Sequence, residues 1–407
     1  MTLPNSHPLS HIKRVSVDYE SGTVSILHTD GQMVIDQLPV QPDNGLVTRS
    51  TFVPANSLME IIAGGETVTI VLGTAHELVM APVVYLDQNH LIDFARWHKN
   101  PSSIDRSKVS FFETLARAAD EERAIVPLSS AHLVETSKRA GTTRLELAAT
   151  MLRYSRGWQL RSVLGLRRAE LRAMFGGAAV TKEDAVTLTP EAIFDSATNQ
   201  PVGRELGPEL GGLVRRQTWA TVLVSLLLDH QRRTDGAGVA ARWAESLTPL
   251  AKSLRGNARA KPRSRDLTRT RFFSDLGSDL PAAARDSGMS SERFGEWLQD
   301  DAETAVAMIP GLGRLREVMH LRLSNADDKW EQNDLNDWMY LSYAAGYCDL
   351  VLGEKKSINY LRRAAARCSS GAILHRRASE AVIDLETLLA SKKQAVEDLG
   401  SRRTLDT

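Results

Sequence analysis

The sequence predicts an α/β protein: a small β-rich module at residues 1–81, then a parallel-sheet domain interrupted by a large helical insertion. Two observations carry this prediction. Residues 82–140 and 333–395 alternate short apolar strands with helices, whereas residues 141–332 are almost purely helical. Because each α/β piece is too short to form a sheet domain alone, we expect the strands of both pieces to pair in one sheet.

The composition is that of an ordinary soluble globular protein. The chain has 407 residues, of which 42% are hydrophobic and 25% charged, with 50 basic residues balancing 50 acidic ones. No global field therefore attracts nucleic acid or an anionic membrane. Two cysteines are too few for a disulfide framework. We find no secretory signal and no apolar run long enough to cross a bilayer, so we expect a cytoplasmic protein without membrane contact.

The N-terminal module is predicted to consist of β-hairpins. Short β-branched runs (VSV, TVSIL, MVI, TVTIVL) alternate with turn signals such as Gly64-Gly65. Residues 12–82 carry three basic against eight acidic side chains, a net charge of −5. This acidic surface is a poor docking site for nucleic acid, and we expect it to pack on the following domain or to bind a regulatory or inhibitory protein.

The two α/β pieces are assigned strands and helices from their periodicity. The predicted strands cover residues 83–86, 124–128, 348–352 and 372–375. The predicted helices cover residues 90–99, 107–123, 334–346, 355–367 and 378–390, and Ser129 or Ser130 is expected to begin a further helix that carries His132 and Glu135.

Acidic residues stand at strand ends or helix starts in these two pieces. Asp87 directly follows the strand VVYL, and Glu135 lies on the helix after the second strand. Asp337 opens a helix, and Asp349 and Glu354 bracket the next strand. Clustered carboxylates need a compensating cation, so the expected ligand is Mg²⁺ or Mn²⁺, which can activate water near a phosphate.

Each acid also has a purely structural interpretation. Asp87 could cap the following helix, and Glu135 could be a solvated helix residue. Asp334 and Asp337 have the spacing of acids that meet a helix dipole, so at least one of them is expected to act as a cap. Asp349 could pack at its strand entrance. His90 and His132 are expected either to support the site residues from behind or to be structural, because no paired His motif accompanies them.

The order of these motifs resembles that of the PIN-like nucleases, which are metal-dependent ribonucleases with a compact parallel sheet. VVYLDQNHLIDFARW resembles their opening strand with its first metal-binding Asp. AIVPLSSAHLVETSKR is similar to the segment that carries the Glu, and DLNDWMYLSYAAGYCDLVLGEKK to the end of the domain. Residues 85–144 are also similar to a bacterial group of PIN-like proteins with LDQN and PLSxxHxxE motifs. The resemblance covers a quarter to a third of the chain.

This resemblance implies metal ligands at Asp87, Glu135 and Asp337, with the last acid at Glu354. Where the family has Thr-x-Asp after its strand, this chain has Leu352-Gly353-Glu354. The acid is one methylene longer, so Asp349 is retained as a partial substitute. The implied activity is an endoribonuclease that uses Mg²⁺ or Mn²⁺, in a family where many members are toxins or defence effectors.

Nucleic acid is expected to bind local basic runs in the insertion, with RNA or single-stranded DNA as the substrate. The stronger run is Lys252, Arg255, Arg259, Lys261, Arg263 and Arg265. A second group of arginines at 153–172 has Tyr154 and Trp158 interleaved as stacking platforms. A solvated helix face or an exposed loop is the alternative for both.

The sequence is also compatible with two other functions. Glu354 in place of Asp favours a catalytically decayed PIN-like domain that serves as an RNA-binding or scaffold protein. A purely helical interaction protein would have no parallel sheet at all.

Overall fold

The computed structural model describes residues 9–37, 46–194, 208–228, 237–256, 261–325, 328, 330–331 and 334–403. Within these ranges the chain is mixed α/β, as the sequence predicts. It contains one antiparallel sheet, one small parallel sheet and many helices.

The N-terminal module forms an antiparallel sheet with the strand order β3-β2-β1-β4-β5-β6. The strands are β1 (Ile12–Asp18), β2 (Thr23–His28), β3 (Met33–Gln37), β4 (Val47–Val53), β5 (Leu58–Ala63) and β6 (Glu66–Val71). Buried and exposed residues alternate along β1, β2 and β5, because one face of the sheet lies on the protein core. Gly64 and Gly65 both adopt positive φ in the two-residue turn between β5 and β6, so the predicted hairpin is confirmed.

The remaining strands are short. They are β7 (Val84–Leu86), β8 (Gln159–Leu160), β9 (Val186–Thr187), β10 (Leu350–Leu352) and β11 (Ile373–His375). Strands β7, β10 and β11 form a parallel sheet with the order β11-β10-β7, in which Leu86 lies opposite Leu352. Strands from both α/β pieces therefore share one sheet.

Helices account for most of the other described residues. The first group is α1 (Glu77–Met80), α2 (Gln88–Lys99), α3 (Arg106–Asp120), α4 (Ser130–Ser137), α5 (Gly141–Ser155), α6 (Val163–Met174), α7 (Lys182–Ala185), α8 (Pro208–Leu228) and α9 (Ala237–Gly256). The second group is α10 (Ser264–Asp275), α11 (Asp279–Asp286), α12 (Ser291–Asp300), α13 (Ala302–Met308), α14 (Pro310–Leu323), α15 (Asp334–Tyr347), α16 (Lys355–Ala365) and α17 (Ala378–Arg403).

The parallel sheet is buried on both faces. Val84 and Leu86 belong to a core formed with α2, α3 and α17, whereas Tyr85 and Val351 belong to a second core formed with α14, α15 and α16. Successive side chains of a strand point to opposite faces, so a strand covered on both sides reads as a continuous apolar run. This explains why VVYL and LVL lack alternation.

The strand predicted at residues 124–128 is an extended segment with isolated bridges only. Val83 bridges to Ile125, and Leu128 bridges to Gln159, both in the parallel sense. Pro127 has no N–H to donate, which interrupts a regular ladder at this point. The segment nevertheless runs beside β7 and leads directly to Ser129 and α4.

The N-terminal sheet packs on the insertion. Helix α8 contacts β1, β4 and β5, and the Gln217 side chain donates a hydrogen bond to the Val15 carbonyl at 3.3 Å. The insertion, predicted to be almost purely helical, also contains the short antiparallel pair β8 and β9. Among the described residues, no helix is both long enough and apolar enough to span a membrane.

Candidate active site

Two acids follow neighbouring parallel strands at the same edge of the sheet. Asp87 comes directly after β7, and Glu354 comes two residues after β10. The Asp87 N–H donates to the Leu352 carbonyl at 2.8 Å, and the Glu354 N–H donates to Asp87 Oδ2 at 3.2 Å. Open α/β sheets bind ligands at the carboxyl ends of their strands. The backbone therefore places Asp87 and Glu354 where a ligand is expected.

Asp87 occupies the N-cap position of α2, but within the described residues its side chain makes no capping hydrogen bond. Its carboxylate instead accepts the Glu354 N–H from across the sheet. Asp87 therefore stands at the capping position predicted for it, but its carboxylate does not cap the helix and is directed to the strand ends.

Electrostatic coupling joins Asp87 and Glu354 to two further acids. Burial, together with the charges of Glu135 and Glu354, raises the pKa of Asp87 to about 7. Burial likewise raises the pKa of Asp337 to about 8, with Asp87, Glu135 and Glu354 contributing in that order. Burial and Glu354 raise the pKa of Glu135, while Lys138 and Arg139 oppose that shift. We call Asp87, Glu135, Asp337 and Glu354 the acid group.

His132 connects the end of β7 to the helix that carries Glu135. Its Nδ1 accepts the Ser129 N–H at 3.1 Å, and its Nε2 lies 2.9 Å from the Leu86 carbonyl. A carbonyl only accepts, so the proton is on Nε2. Tyr85 stacks on the ring at 5.1 Å, and burial lowers the pKa of His132 to about 4. The structural role expected for His132 is confirmed.

Helix α15 brings Asp337 to the acid group, while Asp334 takes a different role. Asp334 is buried, pairs with Arg322 at 2.8 Å and accepts the Glu331 N–H at 2.5 Å. Asp337, one turn further along the helix, interacts with Asp87 instead. A hydrogen bond between the Ser130 and Tyr340 hydroxyl groups joins α4 to α15. Of the two acids at this helix start, Asp334 is the structural one.

Asp349 does not lie with the acid group, so its prediction as a metal ligand is corrected. It precedes β10, and its Oδ2 accepts the Val83 N–H at 2.6 Å, next to the start of β7. It also forms an ion pair with Lys182 at 2.5 Å. Because Asp87 and Glu354 follow their strands, Asp349 is at the opposite edge of the sheet and packs at the strand entrance.

A cleft of about 610 Å³ adjoins Glu354. Three lysines line it: Lys108 pairs with Asp93 at 2.6 Å, Lys356 pairs with Asp328 at 2.9 Å, and Lys355 is exposed. The full lining is Asn89, His90, Asp93, Lys108, Glu354, Lys355, Lys356 and Asn359. The cleft therefore places the exposed Lys355 directly beside Glu354, whereas Lys108 and Lys356 are held in ion pairs.

The lysines of this cleft were not predicted from the sequence as binding residues; we call the cleft the lysine cleft. The available signal was the dipeptide Lys355-Lys356 directly after Glu354, at the start of α16. Asn89 is the Asn that follows Asp87 in the motif resembling the family's opening strand, and its Nδ2 donates to Glu354 Oε1. Asn89 stands two positions after Asp87, so the tripeptide Asp87-Gln88-Asn89 contains both residues that contact Glu354.

The structure changes the interpretation of the predicted basic run. Arg265 pairs with Glu317 at 2.9 Å and with Glu303 at 3.5 Å. These ion pairs connect α10 to α14 and α13. Its prediction as a nucleic-acid contact is therefore corrected. Lys252 and Arg263 are exposed. Arg255 lies in α9, Lys261 begins a short 3-10 helix, and Arg259 is outside the described residues.

The two aromatic residues of the second arginine group, Tyr154 and Trp158, cannot act as stacking platforms for bases. Tyr154 is 4% exposed and Trp158 2% exposed, so neither ring is available to a base. Tyr154 packs against Phe94, and Trp158 Nε1 donates to Glu77 at 3.3 Å. The aromatic side chains here belong to the core.

The acid group supplies only oxygen donors, which suits a hard divalent ion. Within the described residues, no three His, Cys, Asp or Glu side chains form a close metal-binding cluster. The site is defined instead by mutual electrostatic effects and by backbone hydrogen bonds at the strand ends. Comparisons with family models, curated proteins and solved structures found no match to this chain.

Proposed function

We propose that this protein is an endoribonuclease that depends on Mg²⁺ or Mn²⁺. The observation that carries the proposal is the convergence of Asp87, Glu135, Asp337 and Glu354 at the carboxyl ends of two parallel strands. These four acids come from separate elements of both α/β pieces. The resemblance to PIN-like nucleases assigns the same four positions to metal binding and supports RNA as the substrate.

The charge state of the acid group fits a divalent cation. Burial and the neighbouring carboxylates raise the pKa of Asp87 to about 7 and that of Asp337 to about 8, so these two residues hold protons near neutral pH. These two residues would release protons as they become ligands. When bound, the ion would activate a water and neutralise charge on the scissile phosphate.

Neighbouring side chains hold the acid group in place. Asn89 donates to Glu354 Oε1, which orients the longer side chain toward the strand ends. His132 fixes the Leu86 carbonyl and the Ser129 amide, and so fixes the distance between Asp87 and Glu135. Such supporting hydrogen bonds keep ligands in the productive geometry.

The lysine cleft supplies the path for the substrate. Lys355 is exposed at the first position of α16, next to Glu354. Lys356 lines the same cleft and forms an ion pair with Asp328 at 2.9 Å, so Lys355 is the residue that we expect to hold phosphate. Lysine side chains hold backbone phosphates electrostatically without reading sequence. A single strand held there would have its phosphates beside the acid group.

A catalytically decayed RNA-binding domain is the second candidate. One observation favours it: Glu354 replaces the shorter Asp of the family, and its Oε1 already accepts a hydrogen bond from Asn89. A decayed domain would bind RNA in the lysine cleft without cutting it.

The test is cleavage of end-labelled single-stranded RNA and DNA by the purified full chain with Mn²⁺, Mg²⁺ or EDTA. We expect RNA cleavage that requires the metal, and an Asp87→Asn protein slower by about 10²–10³-fold. Asp349→Asn is the matched control, because the same change at the opposite sheet edge leaves the acid group intact.

Cleavage that EDTA does not affect, or that Asp87→Asn and Asp349→Asn reduce equally, would contradict the proposal. RNA binding without any cleavage would favour the decayed domain. Thermal melting of each variant shows that the compared proteins are folded.

A further inference from the structure

A second pocket, of about 340 Å³, lies between α2 and α5 and is distinct from the lysine cleft. The turns that follow α2 and α4 complete its walls. The volume falls within the range of about 300–1,000 Å³ found for small-molecule sites. None of the residues that line this pocket lines the lysine cleft.

Two helices connect this pocket to the acid group. Ile92 lines the pocket and stands five positions after Asp87, which is about 7.5 Å along the axis of α2. Arg139 also lines it and stands four positions after Glu135, at the end of α4. Burial raises the pKa of Glu135 and the positive charge of Arg139 opposes that rise, so these two side chains interact. The pocket therefore adjoins the acid group on the side of Glu135, whereas the lysine cleft adjoins Glu354.

The charged side chains of the pocket are mostly basic. Arg96, Lys99 and Arg139 line it together with a single acid, Glu146. Lys99 forms an ion pair with Glu146, and Arg96 lies 3.7 Å from Asp93. Arg139 is half-buried and makes no ion pair with any residue that the structure describes. A guanidinium group in this setting favours an anion, and its planar fork matches a phosphate group.

The rest of the wall is apolar. Ile92, Ala95 and Leu147 line the pocket and are almost completely buried. A phosphate ion alone would leave this apolar wall without a partner. A nucleotide has both parts, because its phosphate can pair with the arginines while its sugar and base contact the aliphatic side chains.

We propose that this pocket binds a nucleotide of the single-stranded RNA substrate, close to the phosphate that is cleaved. Its phosphate pairs with Arg139, and its sugar and base contact Ile92, Ala95 and Leu147. The RNA strand then runs from the lysine cleft past Glu354 and Glu135 into the pocket. This inference rests on the proposed function, because it takes the acid group as the cleavage site.

The test is fluorescence anisotropy with a short labelled single-stranded RNA and the full chain carrying Asp87→Asn, in EDTA. We expect Arg139→Gln to weaken RNA binding by about 5–10-fold at low salt, and to reduce the slope of log K against log salt by about 0.7. Arg285→Gln makes the same change at an exposed position of α11 and should alter neither quantity. Arg96→Gln, at an exposed position of the pocket, should also weaken binding and keeps the test decisive if Arg139→Gln does not fold.

A free nucleotide offers the same chemistry as a nucleotide within RNA. Calorimetric titration with adenosine 5′-monophosphate distinguishes the two sources. We expect this probe to bind at least about ten-fold more weakly than the RNA, because the RNA also engages Lys355. Tighter binding of the mononucleotide than of RNA, lost in Arg139→Gln, would assign the pocket to a free nucleotide and overturn the proposal.

Equal RNA affinity and equal salt slope with and without Arg139→Gln and Arg96→Gln would also overturn it, as would a lack of RNA binding. These measurements use neither metal nor cleavage, so they are separate from the test of the proposed function. Metal-dependent RNA cleavage together with unchanged RNA binding by Arg139→Gln and Arg96→Gln would retain the nuclease and reject the nucleotide pocket.

Discussion

The Glu354 N–H donates a hydrogen bond to Asp87 Oδ2 at 3.2 Å, although 267 positions separate the two residues in the chain. The parallel pairing of β7 with β10 produces this contact, because Leu86 and Leu352 lie opposite each other and end their strands together. Although the large insertion lies between these two strands in the chain, both strands end at the same edge of the sheet. The contact turns two distant sequence motifs into one site.

The metal-free protein should lose stability as the pH rises. The folded-state pKa of Asp337 is raised from 3.8 to about 8, so its stabilising contribution is complete below pH 3.8 and is lost as the pH approaches 8. Asp337→Asn mimics the protonated acid. In EDTA at pH 8.5 we expect this variant to be more stable than the unaltered protein by on the order of 1–3 kcal/mol.

Urea denaturation at pH 5 and at pH 8.5 measures this difference. The gap between the two proteins should shrink at pH 5, because Asp337 is then protonated in the unaltered protein as well. A gap that does not depend on pH would show that Asp337 is not held in a repulsive acid group.

His132→Ala should destabilise the protein by about 2–4 kcal/mol, because it removes contacts with Leu86 and Ser129 and the stacking on Tyr85. His132→Asn, which can replace the Nδ1 acceptor, should restore part of this loss. The pKa of His132 is lowered to about 4, so its stabilising contribution is complete above pH 6.5 and is lost toward pH 4.

Urea unfolding of these variants at pH 7.5 gives the stabilities, and steady-state RNA cleavage gives kcat and KM. A positioning role predicts a lower kcat with little change in KM in the folded variants. Full stability in His132→Ala would contradict the role assigned to this side chain.

The acid group was accessible to sequence analysis because its members flank strongly patterned elements. VVYL and LVL are apolar at every position, which marks them as strands buried on both faces, and the acids that follow such strands must share an edge. Asp349 could have been separated from Glu354 by the same logic. It precedes its strand, and Glu354 follows it.

The partners of the basic residues were not accessible in this way. Arg265 reaches Glu317, 52 positions away, through the packing of α10 on α14, and no local pattern encodes that contact. Tyr154 and Trp158 look like surface residues among arginines, yet both point into the core. Charge counts along a sequence do not show which charges are neutralised in the fold.

Lys355→Ala should weaken binding of single-stranded RNA. In an Asp87→Asn background without metal, we expect a loss of about 3–10-fold at low salt and a slope of log K against log salt reduced by about 0.7. Fluorescence anisotropy with labelled RNA measures both quantities.

Lys252→Ala and Arg263→Ala provide controls, since both residues are exposed in the basic run of the insertion. We expect little change in RNA binding from either variant. Weaker RNA binding by these variants, together with unchanged RNA binding by Lys355→Ala, would show that RNA binds to the insertion and not to the lysine cleft.

Glu170 holds the start of α14 from a different helix. Its carboxylate accepts the Gly311 N–H at 2.6 Å, the Leu312 N–H at 2.9 Å and the Tyr347 hydroxyl at 2.6 Å. Glu170→Ala leaves these donors buried without an acceptor, so we expect a loss of about 2–4 kcal/mol in urea unfolding. Glu113→Ala, an exposed change in α3, should cost less than about 0.5 kcal/mol. Equal losses would exclude the capping role.

The most direct test of the central claim is a calorimetric titration of the full chain with Mn²⁺ at pH 8. We predict saturable binding with proton release, lost in the double variant Asp87→Asn/Asp337→Asn and retained in Asp349→Asn. No binding to the unaltered protein, or equal binding to the double variant, would show that these carboxylates do not form a metal site.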